Sequence, residues 1–266
     1  MPLVDDATTR FSRRVTDYVR YRPGYPDELE NVLRRRVGYH PGLVVADIGS
    51  GTGISSRYFL DRGNVVYGVE PNSDMRSAAE EWLGTYSKFH SVAGRAEETS
   101  LEDQSVDLVI AAQAFHWFDG PSARREFERI LRPRGAVVLL WNERKLDASP
   151  FLIAYESLLQ DISEDYRRIS RNEAATDASM NEFFGPDRWG GEQFPNRQAF
   201  DLEGLIGRAL SSSYVPLAGQ PRHEEMLDRL RRIFSQHAAD GRVWFEYSTR
   251  LFWGYLRSPL SDPPPS

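Results

Sequence analysis

Short apolar runs alternate with amphipathic stretches along the first half of the chain. Leu43-Val44-Val45-Ala46-Asp47-Ile48, Val65-Val66-Tyr67-Gly68-Val69, Phe89 to Ala93, Ser105 to Ala112 and Ala136 to Asn142 have the length and β-branched content of buried strands. Between them, apolar residues recur at helical spacing. Pro26-Asp27 opens a helix to about Val37 with Leu29, Val32 and Leu33 on one stripe. Ile54 to Leu60 forms a second, closed by Gly63. A third, capped by Asn72 or Ser73, runs to Leu83 with Met75, Ala78, Ala79 and Trp82 on its buried face. A fourth spans Ser122 to Leu131, and Pro133-Arg134-Gly135 then turns the chain into the fifth strand.

The pattern continues less regularly beyond Asn142. Pro150 to about Ile162, Leu202 to Leu210 and Arg222 to Phe234 read as helices. Gln193 to Phe200 and Val243 to Trp253 read as strands, and residues 163–190 as a polar loop carrying Phe183, Phe184 and Trp189. Strands alternating with helices predict an α/β fold with a mostly parallel sheet. Four segments follow: an aromatic-rich N-terminal stretch over 1–25, a core over 26–145, the second half of the sheet with a cap over 146–256, and a proline-rich, disordered tail over 257–266.

The chemistry concentrates where strands end. Gly49-Ser50-Gly51-Thr52-Gly53 joins the first strand to the start of a helix. Glycines let a ligand approach the backbone and permit positive φ, and free N–H groups at a helix start attract carboxylate or phosphate. Glu70 ends the second strand about 20 residues on, the separation at which a carboxylate accepts both hydroxyls of an adenosine ribose. A dinucleotide-binding GxGxxG would place its third glycine at position 54, where Ile54 stands. The end of the fourth strand carries Gln113-Ala114-Phe115-His116-Trp117-Phe118-Asp119. Aromatic faces stabilise a cation and His116 can accept a proton, although a histidine packed against backbone fits equally. Tyr18, Tyr21 and Arg22 either pack on the domain or fold over the cleft, where Arg22 could pair with a carboxylate.

Composition narrows the classes. The 266 residues contain no cysteine, which excludes disulfides, thiolate metal sites and thiolate nucleophiles. His40, His90, His116, His223 and His237 form no metal-binding spacing, so no metal is expected. A net charge of −6 disfavours a nucleic-acid partner. No window has the length of a membrane span and no apolar leader is present, so a cytoplasmic protein is expected, as monomer or homodimer.

Asp47 with Gly49, Gly51 and Gly53, followed by Glu70, resembles motif I of the class I S-adenosylmethionine-dependent methyltransferases. Tyr21 to Pro26, Val69 to Asn72 and Ala112 to Phe118 resemble the small-molecule subgroup that includes trans-aconitate methyltransferase-like enzymes. The resemblance covers about residues 10 to 160. It implies a Rossmann-like, seven-stranded, mostly parallel sheet with helices on both faces, an antiparallel last strand and a cap over the acceptor site. S-adenosyl-L-methionine is the implied cofactor. Its implied contacts are Gly49, Ser50, Gly51, Thr52 and Gly53 for the methionine part, Glu70 for the ribose, and Arg95, Ala96, Glu97, Gln113, Ala114 and Phe115 around the adenosine, with Asp47, Pro71, Asn72 and Met75 as further cofactor-site residues. Many relatives have an acid where Arg95 stands, so Glu97 or backbone groups of Ala96 must serve the adenine. His116 would be the catalytic group, and Tyr18, Tyr21, Arg22, Trp117 and Trp141 would face a small-molecule acceptor. Two alternatives from other classes are an NAD-type oxidoreductase on the same βαβ unit and a cofactor-binding domain without turnover.

Overall fold

A computed structural model describes residues 20–164, 166 and 176–257. The elements run α1 (Glu28–Val37), β1 (Val44–Ile48), α2 (Ile54–Leu60), β2 (Val65–Val69), α3 (Ser73–Leu83), β3 (Phe89–Val92) and β4 (Val106–Ala112). A single 3-10 turn (Phe115–Trp117) leads to α4 (Gly120–Ile130), β5 (Leu131–Arg144), α5 (Pro150–Ile162) and α6 (Asp177–Phe184). The chain closes with β6 (Trp189–Phe200), α7 (Leu202–Leu210), α8 (His223–His237) and β7 (Val243–Gly254).

The seven strands form one sheet in the order β3-β2-β1-β4-β5-β7-β6. The ladders β3–β2, β2–β1, β1–β4 and β4–β5 are parallel. The last strand runs the other way. Lys145 bonds Glu246 through the backbone and Asn142 meets Thr249, so partner numbers fall along β7 as they rise along β5. Chain order reverses at β1, whose neighbours are β2 and β4. Ligands of open α/β sheets bind beyond the carboxyl ends of strands at such a switch point.

Two compact units share the chain. One comprises residues 27–141, 174–193 and 250–266. Its core joins Ile48, Val69, Val109, Phe115, Phe127 and Trp141 with Phe183, Phe184 and Phe252. The other comprises residues 1–26, 142–173 and 194–249, around Tyr21, Phe151, Tyr155, Phe200, Leu205 and Phe245.

Three expectations change. The polar stretch before β6 is helical over α6. Thr176 and Ser179 form a reciprocal capping box, and Phe183 and Phe184 are buried core rather than residues of a polar loop. On α3 the buried face is Met75, Ala79 and Leu83. Trp82 lies at the edge of that stripe, with the Arg57 guanidinium over its ring. The turn at Pro133–Gly135 is a bulge inside one long strand, because Val106 pairs with Leu131 while Leu108 pairs with Ala136. Tyr18 and the tail beyond residue 257 lie outside the described residues.

Tyr21 is 8% exposed and stands edge-on to Phe200. Its ring lies against Gly207 of α7, where an added Cβ would stand 2.0 Å from Tyr21 Cε2. Alanine there gains about 1 kcal/mol of helix propensity but overpacks the contact by about 3 kcal/mol. Gly207→Ala should therefore lower the urea midpoint without changing the slope of the transition.

Candidate functional site

The βαβ start of the chain builds the site. β1 is buried from Val45 to Ile48, and Asp47 has no exposed surface. Asp47 Oδ2 accepts hydrogen bonds from the Ser55 and Ser56 hydroxyls, both 2.7 Å, at the start of α2. Burial pushes its pKa up to about 6, against those two bonds and with a further rise from Glu70. Asp47 Oδ1 and Thr52 Oγ1 are buried without a protein partner among the described residues.

The three glycines of the turn have positive φ for different reasons. A Cβ on Gly49 would lie 2.6 Å from Ala114 Cβ, and one on Gly53 would lie 2.5 Å from Leu83 Cδ1. Those two glycines allow the turn to pack on the end of β4 and on α3. Gly51 is different: its nearest neighbour would be Met75 Sδ at 3.4 Å, an ordinary contact. Its face of the turn is bare, and it looks toward Met75.

Glu70 stands at the end of β2, 8% exposed. Gly51 N–H donates to Oε2 at 3.0 Å and Asn72 N–H to Oε1 at 2.9 Å. Burial raises its pKa, opposed by those two bonds. Asn72 also caps α3 by accepting from the Asp74 and Met75 amides, and Pro71 is exposed beside it. Asp47, residues 49–53, Glu70, Asn72 and Met75 thus form one connected group.

The second group lies on the loops after β3 and β4. Ala96 is buried, and Arg95 is exposed and 3.9 Å from Glu97. Glu97 accepts the Asp119 amide at 2.8 Å, so this carboxylate ties the loop to the start of α4. Gln113 has φ 59 and donates its amide to Leu140. Ala114 and Phe115 are nearly buried, and Ala114 touches the glycine turn. Trp117 is 48% exposed, its ring 4.9 Å from that of His116. His116 is exposed at its surface, yet desolvation by the surrounding protein holds its pKa below the usual histidine range. The ring is neutral at pH 7 and a weak base.

The remaining candidates have partners of their own. Trp141 is buried in the core, edge-on to Phe115 and Phe252. Tyr21 donates to Glu203 and Arg22 to the Ser211 carbonyl, all within the second unit.

A clamp that the sequence reading did not contain holds the 94–103 loop. Glu126 Oε1 accepts from Thr99 N–H at 2.8 Å and Thr99 Oγ1 at 2.6 Å. Arg129 bonds both Glu126 oxygens, and also Asp103 and the Leu101 carbonyl. Thr99 and Glu126 are 27 positions apart on different elements, so no local pattern announces the pair.

Burial alone would raise the Glu126 pKa, but the bonds from Arg129 and Thr99 outweigh it and hold the carboxyl at about 2. A carboxyl depressed in the folded state stabilises it above the unfolded pKa. That stability is lost as pH falls from about 4.5 toward 2. Glu126→Gln should lower Tm at pH 7, with the gap to the unmodified protein closing between pH 4.5 and 2. An unchanged gap across that range would show that the carboxylate charge does not contribute. His116 should titrate below an ordinary histidine, with its imidazole resonance moving only under acidic conditions.

Known proteins resemble this chain in sequence and in fold. The family profile described as a methyltransferase domain matches residues 46–139. An uncharacterized methyltransferase of Mycobacterium tuberculosis is 30% identical over 234 residues, covering 88% of this chain and 89% of its own. A probable S-adenosylmethionine-dependent methyltransferase of Saccharomyces cerevisiae is 33% identical over 124 residues, 44% of this chain and 42% of its own. The fold matches a putative type II methyltransferase from Anaeromyxobacter dehalogenans with a TM-score of 0.63 at 20% identity, covering 89% and 98% of the two chains. With a relative of this identity spanning most of both chains, a switch-point site built on β1 and β2, and the motif I residues in one connected group, the chain belongs to the class I S-adenosylmethionine-dependent methyltransferases.

Proposed function

We propose that the turn 49–53 and Glu70 hold S-adenosylmethionine, and that the methyl acceptor is a small molecule. The observation that carries this reading is the Glu70 carboxylate. Each of its oxygens takes one backbone N–H and keeps a lone pair, beside the bare face of Gly51. A vicinal diol fits that acceptor pair, so the donor and acceptor set suits a ribose. The group supplies, when bound, a methyl on a sulfonium that is already activated for displacement.

The protein's part is then to bind, orient and exclude water. Alignment alone can contribute about 7–11 kcal/mol to such a transfer. Asp47 positions the turn through Ser55 and Ser56 rather than through a surface of its own. Glu97 and the Thr99–Glu126 pair fix the loop assigned to the adenosine. Trp117 and His116 present aromatic faces to the same end of the sheet, where a cationic centre is favoured. A His116 imidazole of lowered basicity suits hydrogen bonding to an acceptor better than taking a proton from an alcohol. Net charge of −6 supports a small molecule over nucleic acid. No helix among the described residues is long and apolar enough to cross a membrane.

The test is thermal denaturation with S-adenosylhomocysteine. A ligand bound only by the native state at 100 times its Kd adds about 2.7 kcal/mol. A saturable rise in Tm that disappears in Glu70→Ala is the expected outcome. A rise of equal size in Glu70→Ala would remove Glu70 from the site.

A further inference from the structure

The second unit contains a cavity of about 920 Å³ that the methyl-transfer reading does not use. Lys145, Arg197, Arg242 and His237 contribute to its lining, with Glu246 as its one acid. At neutral pH that is three fixed positive charges against one negative, in a chain whose net charge is −6. Local reversal of charge in a concave site favours an anionic ligand.

Each cation is presented rather than merely exposed. Arg197 lies on the face of Trp244, its guanidinium carbon 4.7 Å from the ring, which leaves its in-plane N–H groups available. Arg242 follows Asp240 and Gly241, both at positive φ, and Ala239 and Arg242 exchange backbone hydrogen bonds at 2.9 and 3.0 Å. This tight turn fixes where Arg242 starts. Neither arginine has a carboxylate within ion-pair distance among the described residues. Lys145 pairs with Glu246 at 3.6 Å, with both side chains about 40% exposed, a contact weak enough to exchange for a ligand. The cavity also has apolar wall: Phe151, Val243, Pro150 and Pro195, with Trp244 at 44% exposure.

We propose that this cavity binds an organic anion carrying an aromatic ring, with the ring against Trp244 and a phosphate or carboxylate head between Arg197, Arg242 and Lys145. The assignment stands independently of the cofactor site, which is built from the other unit.

Calorimetric titration of the full chain with phenyl phosphate and benzoate tests it, with inorganic phosphate and phenol as fragments. Saturable binding of phenyl phosphate, benzoate or both is expected, with each fragment at least about tenfold weaker. The better of the two heads identifies the anion. The Arg197→Ala/Arg242→Ala double variant should weaken binding about tenfold or more, and Trp244→Leu should abolish the preference over the ringless anion. All three side chains are exposed, so the variants should fold, which an unchanged Tm would verify. No saturable binding of either compound, equal binding of inorganic phosphate, or unchanged affinity in the double variant would overturn the proposal.

Discussion

Two carboxylates at the ends of adjacent parallel strands hold the site together. Asp47 is fully buried and receives two serine hydroxyls from α2; Glu70 receives two backbone amides, one of them from the glycine turn between those serines and β1. Both lose hydration, and burial raises both pKa values. The cost is offset locally by hydrogen bonds and, at Glu70, by the charge of Arg76, whose guanidinium bonds the Glu70 carbonyl and leaves the carboxylate oxygens able to accept further donors. An arginine bonded to those oxygens would have closed the site. The turn, the start of α2 and the cap of α3 all take their geometry from this pair, because Asn72 connects Glu70 to α3.

The second unit manages buried charge differently. Arg144 meets Glu156 at 2.5 Å and Tyr166 at 2.9 Å, and Tyr166 bonds the same carboxylate oxygen. Arg208 is buried with Tyr247 and Ser212 as its hydrogen-bond partners and Phe245 beneath it. A guanidinium tolerates this better than an ammonium would, being planar and weakly hydrated. The unit's interior is therefore specified by directional contacts as well as by its aromatic cluster.

Where caps and periodicity coincide, the chain could be read directly. Ser149-Pro150 and Asp201 start α5 and α7 at the positions expected, and the glycine turn with Glu70 exposed the nucleotide-binding half. The failures have two physical origins, an unusual local cap and pairing over long range. Thr176 and Ser179 cap α6 without a glutamate in the box, so a polar stretch hid a helix. Trp141 continues the buried run from Ala136, and only its contacts with Phe115 and Phe252 show that it faces the core. The bond from the Asp119 amide to Glu97 spans 22 residues, and no local pattern shows it.

The bulge in β5 has a consequence for how the sheet tolerates change. Between the pairs Val106–Leu131 and Leu108–Ala136, one strand advances two residues and the other five. The extra residues, Arg132 to Arg134, are exposed at the start of the ladder, opposite the carboxyl ends of the parallel strands. Asp107 pins their base by accepting from Val44 N–H and Arg132. Irregularity is thus confined to the start of the β4–β5 ladder. A peptide tag or reporter spliced after Pro133 would lengthen an existing protrusion and leave the register of Ala136 to Leu140 against β4 as it is.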